Sequence, residues 1–145
     1  MFKVNFVVIG KLKERYWQEA VAEYLKRLSR FCKADIKELP ERATLKEEAA
    51  DVLKACRGHV VALAVEGKGC SSEQLAQKVR SVRDRGEELT FVIGSSCGLD
   101  GSVKQAADEL LSFSAMTFPH QMMRVILLEQ VYRAFMIDSG SEYHK

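Results

Sequence analysis

Two apolar runs, residues 60–65 and Leu89–Ile93, constrain this chain more tightly than anything else in it. A strand with one face in water alternates apolar and polar residues. A strand covered on both faces does not, and such strands belong to the middle of a parallel sheet. The segments around them supply the covering layers. After an opening strand at residues 4–9, Trp17, Ala20, Val21, Tyr24, Leu25, Leu28 and Phe31 recur at the i, i+3, i+4, i+7 spacing of a helix with one apolar face. A short strand at 34–39 ends at Pro40. Thr44-x-x-Glu47 then has the form of a capping box, opening a helix that turns Leu45, Ala49, Val52, Leu53 and Cys56 inward. Ser71-x-x-Gln74 opens another, with Leu75, Val79 and Val82 inward. The order βαβαβαβ predicts an α/β fold: an open, mostly parallel sheet with helices on both faces, in one domain over residues 1–145. Ligands of such sheets sit beyond the carboxyl ends of the strands, where residues 66–69 and 94–98 fall.

Bulk properties exclude more than they assign. The net charge of +2 is unevenly divided: residues 1–33 hold eight Lys/Arg against three Asp/Glu, which leaves the rest of the chain at −3. A mildly basic face near the first helix is a weak pointer to a polyanionic partner. Cys32, Cys56, Cys70 and Cys97 form no CxxC pair and have no His at metal-ligand spacing, so they read as reduced thiols of a cytoplasmic protein without a metal. The apolar run near Met1 is too short and strand-like for a secretory segment. The long helix after Pro119 is interrupted by Arg124, Glu129, Gln130 and Arg133, which argues against a membrane span.

The loops are ambiguous by spacing alone. Gly94-Ser95-Ser96-Cys97-Gly98 matches neither GxGxxG nor GxxxxGK[ST], so a nucleotide-binding oxidoreductase is disfavoured and an ordinary tight turn is the simpler reading. Gly67-Lys68-Gly69 also reads as a turn, with Lys68 facing an anion or water. Residues 112–117 offer hydroxyls and backbone amides flanked by Phe113, Met116 and Phe118. That mixture suits a flat heteroaromatic ligand, and equally a loop folded over the core. Pro119 fits the first position of the next helix. On that helix Met122, Val125, Ile126, Leu127, Leu128, Val131, Tyr132, Phe135 and Met136 cover most of the circumference, with His120 and Arg124 on one stripe and Glu129 and Arg133 on the opposite one. Apolar surface on two sides calls for two partners, the sheet and a second subunit. Glu129 and Arg133, at i and i+4, can neutralise each other, while Arg133 can also present its guanidinium to a phosphate or base. Tyr143-His144-Lys145 reads locally as a frayed end.

The run Phe91-Val92-Ile93-Gly94, Gly98-Leu99, Leu111-Ser112-Phe113-Ser114-Ala115-Met116-Thr117-Phe118-Pro119-His120, Arg124-Val125, Glu129-Gln130-Val131-Tyr132-Arg133-Ala134 and Tyr143-His144 resembles the RlmH-type SPOUT methyltransferases, which act on a pseudouridine of large-subunit ribosomal RNA. The resemblance spans the chain, taking in Val8-Ile9-Gly10-Lys11, Glu23-Tyr24 and Leu63…Gly67-Lys68, and departs from the family at Ser95, where a second glycine is usual. It implies a C-terminal trefoil knot, a homodimer through the last helix, and S-adenosylmethionine held by Leu63, Gly94, Phe113, Ser114, Ala115, Met116, Thr117 and Phe118. It also implies methylation at N3 of a pseudouridine in helix 69 of 23S rRNA in the assembled ribosome. An imide N3–H is a poor nucleophile until its proton leaves, so a base or an anion-stabilising group is needed. His144 is the first candidate for proton removal, with Tyr143 stacking on or bonding the base and Arg133 stabilising charge; Arg124 and His120 are second-tier. With so little positive surface, such a protein is expected to act on ribosomes and to bind the isolated hairpin weakly. The alternative is a non-catalytic ribosome-binding or assembly module of the same fold.

Overall fold

The structure, a computed structural model, describes residues 1–144. Five parallel strands, β1 (Lys3–Ile9), β2 (Lys33–Leu39), β3 (His59–Lys68), β4 (Leu89–Ile93) and β5 (Glu109–Leu111), form one sheet in the order β2-β1-β4-β3-β5. All five residues of β4 are buried, as its apolar composition requires of a central strand. Helices α1 (Arg15–Leu28), α3 (Ser72–Asp84) and α5 (His120–Asp138) cover one face, and α2 (Leu45–Ala55) and α4 (Gly101–Ala106) the other. Alternate residues of β1 separate the two cores: Val4, Phe6 and Val8 face the first set of helices, Val7 and Ile9 the second.

The expected strands and long helices are present, with local corrections. Leu53 is 43% exposed and does not face inward. Gly67-Lys68-Gly69 is not the turn expected after residue 65, because β3 continues through Lys68, with a register shift where Lys68 meets Leu111. A side chain at Gly67 would lie 2.7 Å from the Leu110 carbonyl carbon, so only glycine lets the two strands approach there. Ser71 and Gln74 complete a reciprocal capping box, whereas Thr44 accepts from the Glu47 amide without the return bond to its own amide. Pro119 occupies the N-cap of α5 and not its first turn.

Helix α5 runs between α1 and α3 with Leu127, Leu128, Val131, Ala134 and Phe135 inward. Phe135 stacks on Phe31 at 5.3 Å and meets Phe2 edge-on at 6.2 Å. Arg124, placed among the second-tier site residues by sequence, is instead 2% exposed. It donates to Glu38 at 2.8 Å and to the Gly10 carbonyl at 3.2 Å. Burial pulls its pKa down and the Glu38 carboxylate opposes that shift, so the side chain ties α5 to the ends of β1 and β2. Met122 and Ile126 stay half-exposed on the outer side of the helix.

Candidate active site

The carboxyl ends of β3 and β4 open onto a cavity of about 740 Å3. Two loops close it: residues 94–98 after β4, and residues 112–119 between β5 and α5. Of the residues that the family resemblance assigns to a cofactor, Leu63, Gly94, Phe113, Ser114, Met116, Thr117 and Phe118 line it together. Ala115 lies exposed in the same loop but is not part of the lining. Apolar walls from Ile93, Leu111 and Met123 complete a concave, largely apolar pocket with serine and threonine hydroxyls among its lining residues, the composition of a small-molecule site.

The first loop is built around its glycines. Gly94 is buried, and a methyl group there would fall 2.5 Å from the Gly98 carbonyl oxygen and 3.0 Å from Leu99 Cδ2. Gly98 has φ +86°, closing a turn in which its amide donates to the Ser95 carbonyl at 2.9 Å. Ser95 needs no positive φ, so the departure from a second glycine costs the turn nothing. Its hydroxyl instead reaches Glu48 at 3.3 Å, and the other carboxylate oxygen of this buried residue accepts from the Arg42 amide at 3.0 Å. In the second loop Ser114 Oγ accepts from the Met116 amide at 3.0 Å, while Met116 itself is 75% exposed. At the mouth Lys104 donates to Glu66 at 2.9 Å and holds that carboxyl below its ordinary range.

Arg133, Tyr143 and His144 assemble elsewhere. The tail folds back on α5, where Arg133 donates to Glu129 Oε1 at 2.7 Å and its guanidinium carbon lies 4.8 Å from the centre of the Tyr143 ring. The Tyr143 hydroxyl donates to the same Glu129 oxygen at 3.2 Å, and its ring meets Tyr132 edge-on at 5.2 Å. Burial first, then the Glu129 carboxylate, raise the phenol above its usual pKa, so Tyr143 is a neutral donor. His144 bonds Glu73 at 2.6 Å and Arg133 at 3.1 Å. The tail is therefore docked, contrary to a local reading of it as a frayed end. Glu129 Oε2 is buried and has no hydrogen-bond partner among the described residues.

Neither Arg133, Tyr143 nor His144 lines the cavity. Arg133 lies thirteen residues beyond His120, which does, and that separation is about 20 Å along a helix. Sequence reasoning also missed Glu73. Gln130 accepts from Ser72 at 2.7 Å beside the cluster, and Glu73 sits inside a motif read only as a helix cap. A second cavity of about 610 Å3 lies between α3 and the β3–β5 edge, where Glu109 pairs with Lys78 and hydrogen-bonds His59 at 2.6 Å. No helix among the described residues is long and apolar enough to cross a membrane, and no group of three or more potential metal ligands occurs among them.

A parallel α/β sheet whose two late loops shape one pocket at the strand ends is the frame of a known class of methyltransferases. The chain belongs to the SPOUT methyltransferase family: the model described as "Predicted SPOUT methyltransferase" matches residues 2–144. Among its relatives, the Ribosomal RNA large subunit methyltransferase H of Streptococcus suis (strain 05ZYH33) is 44% identical, and that of Bifidobacterium adolescentis 47% identical, each aligned over 99% of both chains. Solved structures share the fold at much lower identity. A probable methylase family protein from Haemophilus influenzae Rd KW20 superposes with TM-score 0.61 at 11% identity, covering 98% of this chain and 70% of its own. A probable methyltransferase from Bordetella pertussis Tohama I gives 0.58 at 14%, covering 92% and 94%.

Proposed function

We propose that this chain is an S-adenosylmethionine-dependent methyltransferase of large-subunit ribosomal RNA, acting in the cytoplasm at N3 of a pseudouridine in helix 69 of the assembled ribosome. The observation that carries the reading is the convergence of the glycine loop and residues 112–118 on one cavity at the strand ends. Gly94 lets the loop close on its own Gly98 carbonyl, which a Cβ would meet at 2.5 Å, and so shapes one wall of the cavity, while Phe113, Phe118 and Leu63 suit a flat heteroaromatic ring. When bound, S-adenosylmethionine would supply an electrophilic methyl on a sulfonium, with the neutral thioether as leaving group. The protein has to align the acceptor and remove its proton. In this reading the chain passing between β5 and α5 forms the trefoil knot of the family.

One protomer does not bring these tasks together. Reacting atoms have to approach to about 3–3.5 Å, and the pocket and the Arg133 cluster lie at different ends of α5. A two-fold dimer that packs α5 against its mate in the opposite sense covers Met122 and Ile126 and sets the Arg133–His144 cluster of one protomer near the pocket of the other.

The test is incubation with labelled S-adenosylmethionine and ribosomes lacking the modification, followed by mapping of the methyl group. Transfer to N3 of a helix 69 pseudouridine is expected. Cofactor binding without transfer would favour a non-catalytic ribosome-binding module. Equal rates on naked rRNA and on ribosomes would refute the requirement for the assembled particle.

A further inference from the structure

The two hydrogen bonds to His144 determine where its proton sits. A guanidinium can only donate, so Nδ1, 3.1 Å from Arg133 Nη1, must present a lone pair. A carboxylate can only accept, so Nε2, 2.6 Å from Glu73 Oε1, must carry the hydrogen. The imidazole is thus oriented with Nε2–H toward Glu73, and the lone pair of Nδ1 is capped by an arginine. A protonated ring would set an N–H of His144 against an N–H of Arg133. Glu73 comes from the first turn of α3, far in sequence from the tail, and its carboxyl is held below the ordinary range first by its own backbone hydrogen bond and then by His144.

Resting on the reading of His144 as the substrate-side base, we propose that Glu73 is a positioning residue that presents His144 as an Nδ1 base, with Arg133 capping that nitrogen until substrate arrives. A pseudouridine imide offers an N3–H flanked by two carbonyl oxygens. When one of those oxygens takes the Arg133 donor, Nδ1 is released beside the N3–H. The proton then passes from N3 to Nδ1, the N–H bond pair stays on the imide, and the anion is stabilised by Arg133. The resulting imidazolium donates from Nε2 to Glu73, which offsets the new charge without accepting the proton. Glu73 is 57% exposed, so its worth lies in this orientation and not in fold stability.

The experiment uses the full-length protein with 15N-labelled histidine. Long-range 1H–15N spectra are assigned to His144 by comparison with His144→Gln, alongside single-turnover rates on ribosomes. In the wild type near neutral pH, His144 is expected to show a protonated Nε2 and a bare Nδ1. Glu73→Gln, whose amide oxygen still accepts, should keep the Nε2–H signal. Glu73→Ala should lose it to solvent exchange and lower kcat by about ten- to a hundredfold, part of the 10²–10⁴ that a positioned base supplies. The KM for S-adenosylmethionine should stay unchanged, and Glu73→Gln should fall between wild type and Glu73→Ala in rate. A protonated Nδ1 in the wild type overturns the proposal, as does full activity in Glu73→Ala while His144→Ala is inactive; in the latter case the reading of His144 as base survives. Full activity in His144→Ala overturns that reading itself, whatever the spectra of the Glu73 variants show.

Discussion

Replacing Gly94 with alanine tests the pocket at its tightest point. The new methyl would lie 2.5 Å from the Gly98 oxygen, 2.7 Å from its carbonyl carbon and 3.0 Å from Leu99 Cδ2. To reach ordinary van der Waals separation the Gly98 carbonyl must retreat by roughly 1 Å, and that carbonyl belongs to the turn closing the loop. Forcing extra volume into a packed site costs about 1–3 kcal/mol. If the loop relieves the clash by opening, that cost falls on the ligand-bound geometry and weakens S-adenosylmethionine binding by roughly five- to 150-fold. Gly98→Ala is the control: nothing lies within 4 Å of its added methyl, so only the φ of +86° opposes it, at about 1–2 kcal/mol. Isothermal titration calorimetry with S-adenosylmethionine or its demethylated product reads the affinity directly, and urea unfolding separates binding loss from global destabilisation. Affinity of Gly94→Ala within twofold of wild type, at unchanged stability, would refute the assignment of this loop as the cofactor cradle.

Three further outcomes follow from the geometry. Arg124→Ala should cost about 2–3 kcal/mol in urea unfolding at fixed protomer concentration, less than a fully buried pair because the Glu38 side chain stays 35% exposed; a loss under about 0.5 kcal/mol would mean that Arg124 does not anchor α5. Burial pushes the Glu109 carboxyl up, but hydrogen bonds from Lys78 and His59 outweigh it and hold the group below its usual range. A depressed carboxyl stabilises the fold above its unfolded pKa and loses that contribution as pH falls through the folded value, so Glu109→Gln should be less stable than wild type near neutrality, with the gap closing below about pH 4 in urea midpoints measured across pH. Cys97, exposed in the glycine loop, should react with a thiol reagent and be protected by saturating S-adenosylmethionine, while buried Cys32, its thiol pushed up to about 12, stays unlabelled in the folded protein. Labelling of Cys97 at the same rate with and without cofactor would contradict the pocket.

Local pattern reveals what local physics determines. The apolar composition of Leu89–Ile93 requires burial on both faces, and the Ser71–Gln74 pair caps a helix whatever surrounds it, so the sheet and its long helices were legible. Strand β5 and helix α4 are too short to show a period, and Glu109–Leu111 is held as a strand only by pairing with β3. The resemblance put Arg124 in a second tier of site residues, and a helical projection, which shows a stripe, does not show what lies beneath it, here Glu38 and the end of β1. The cluster on the tail depends on partners far apart in sequence: Glu129 lies fifteen residues before His144, and Glu73 lies seventy-one before it. No periodicity connects those positions. The family resemblance singled out Tyr143 and His144, but only the fold brings Glu73 to them.

The central claim, that each site joins the pocket of one protomer to the tail of the other, is tested most directly by subunit complementation. His144→Ala and Gly94→Val, each inactive as a homodimer and each folded by circular dichroism, are co-expressed with different tags and purified as the heterodimer. With sites shared across the two-fold axis, one of the two sites recovers an intact pocket and an intact tail, and methylation of ribosomes returns to about half the wild-type rate. If each protomer carries a complete site of its own, both sites in the heterodimer remain broken and no activity returns.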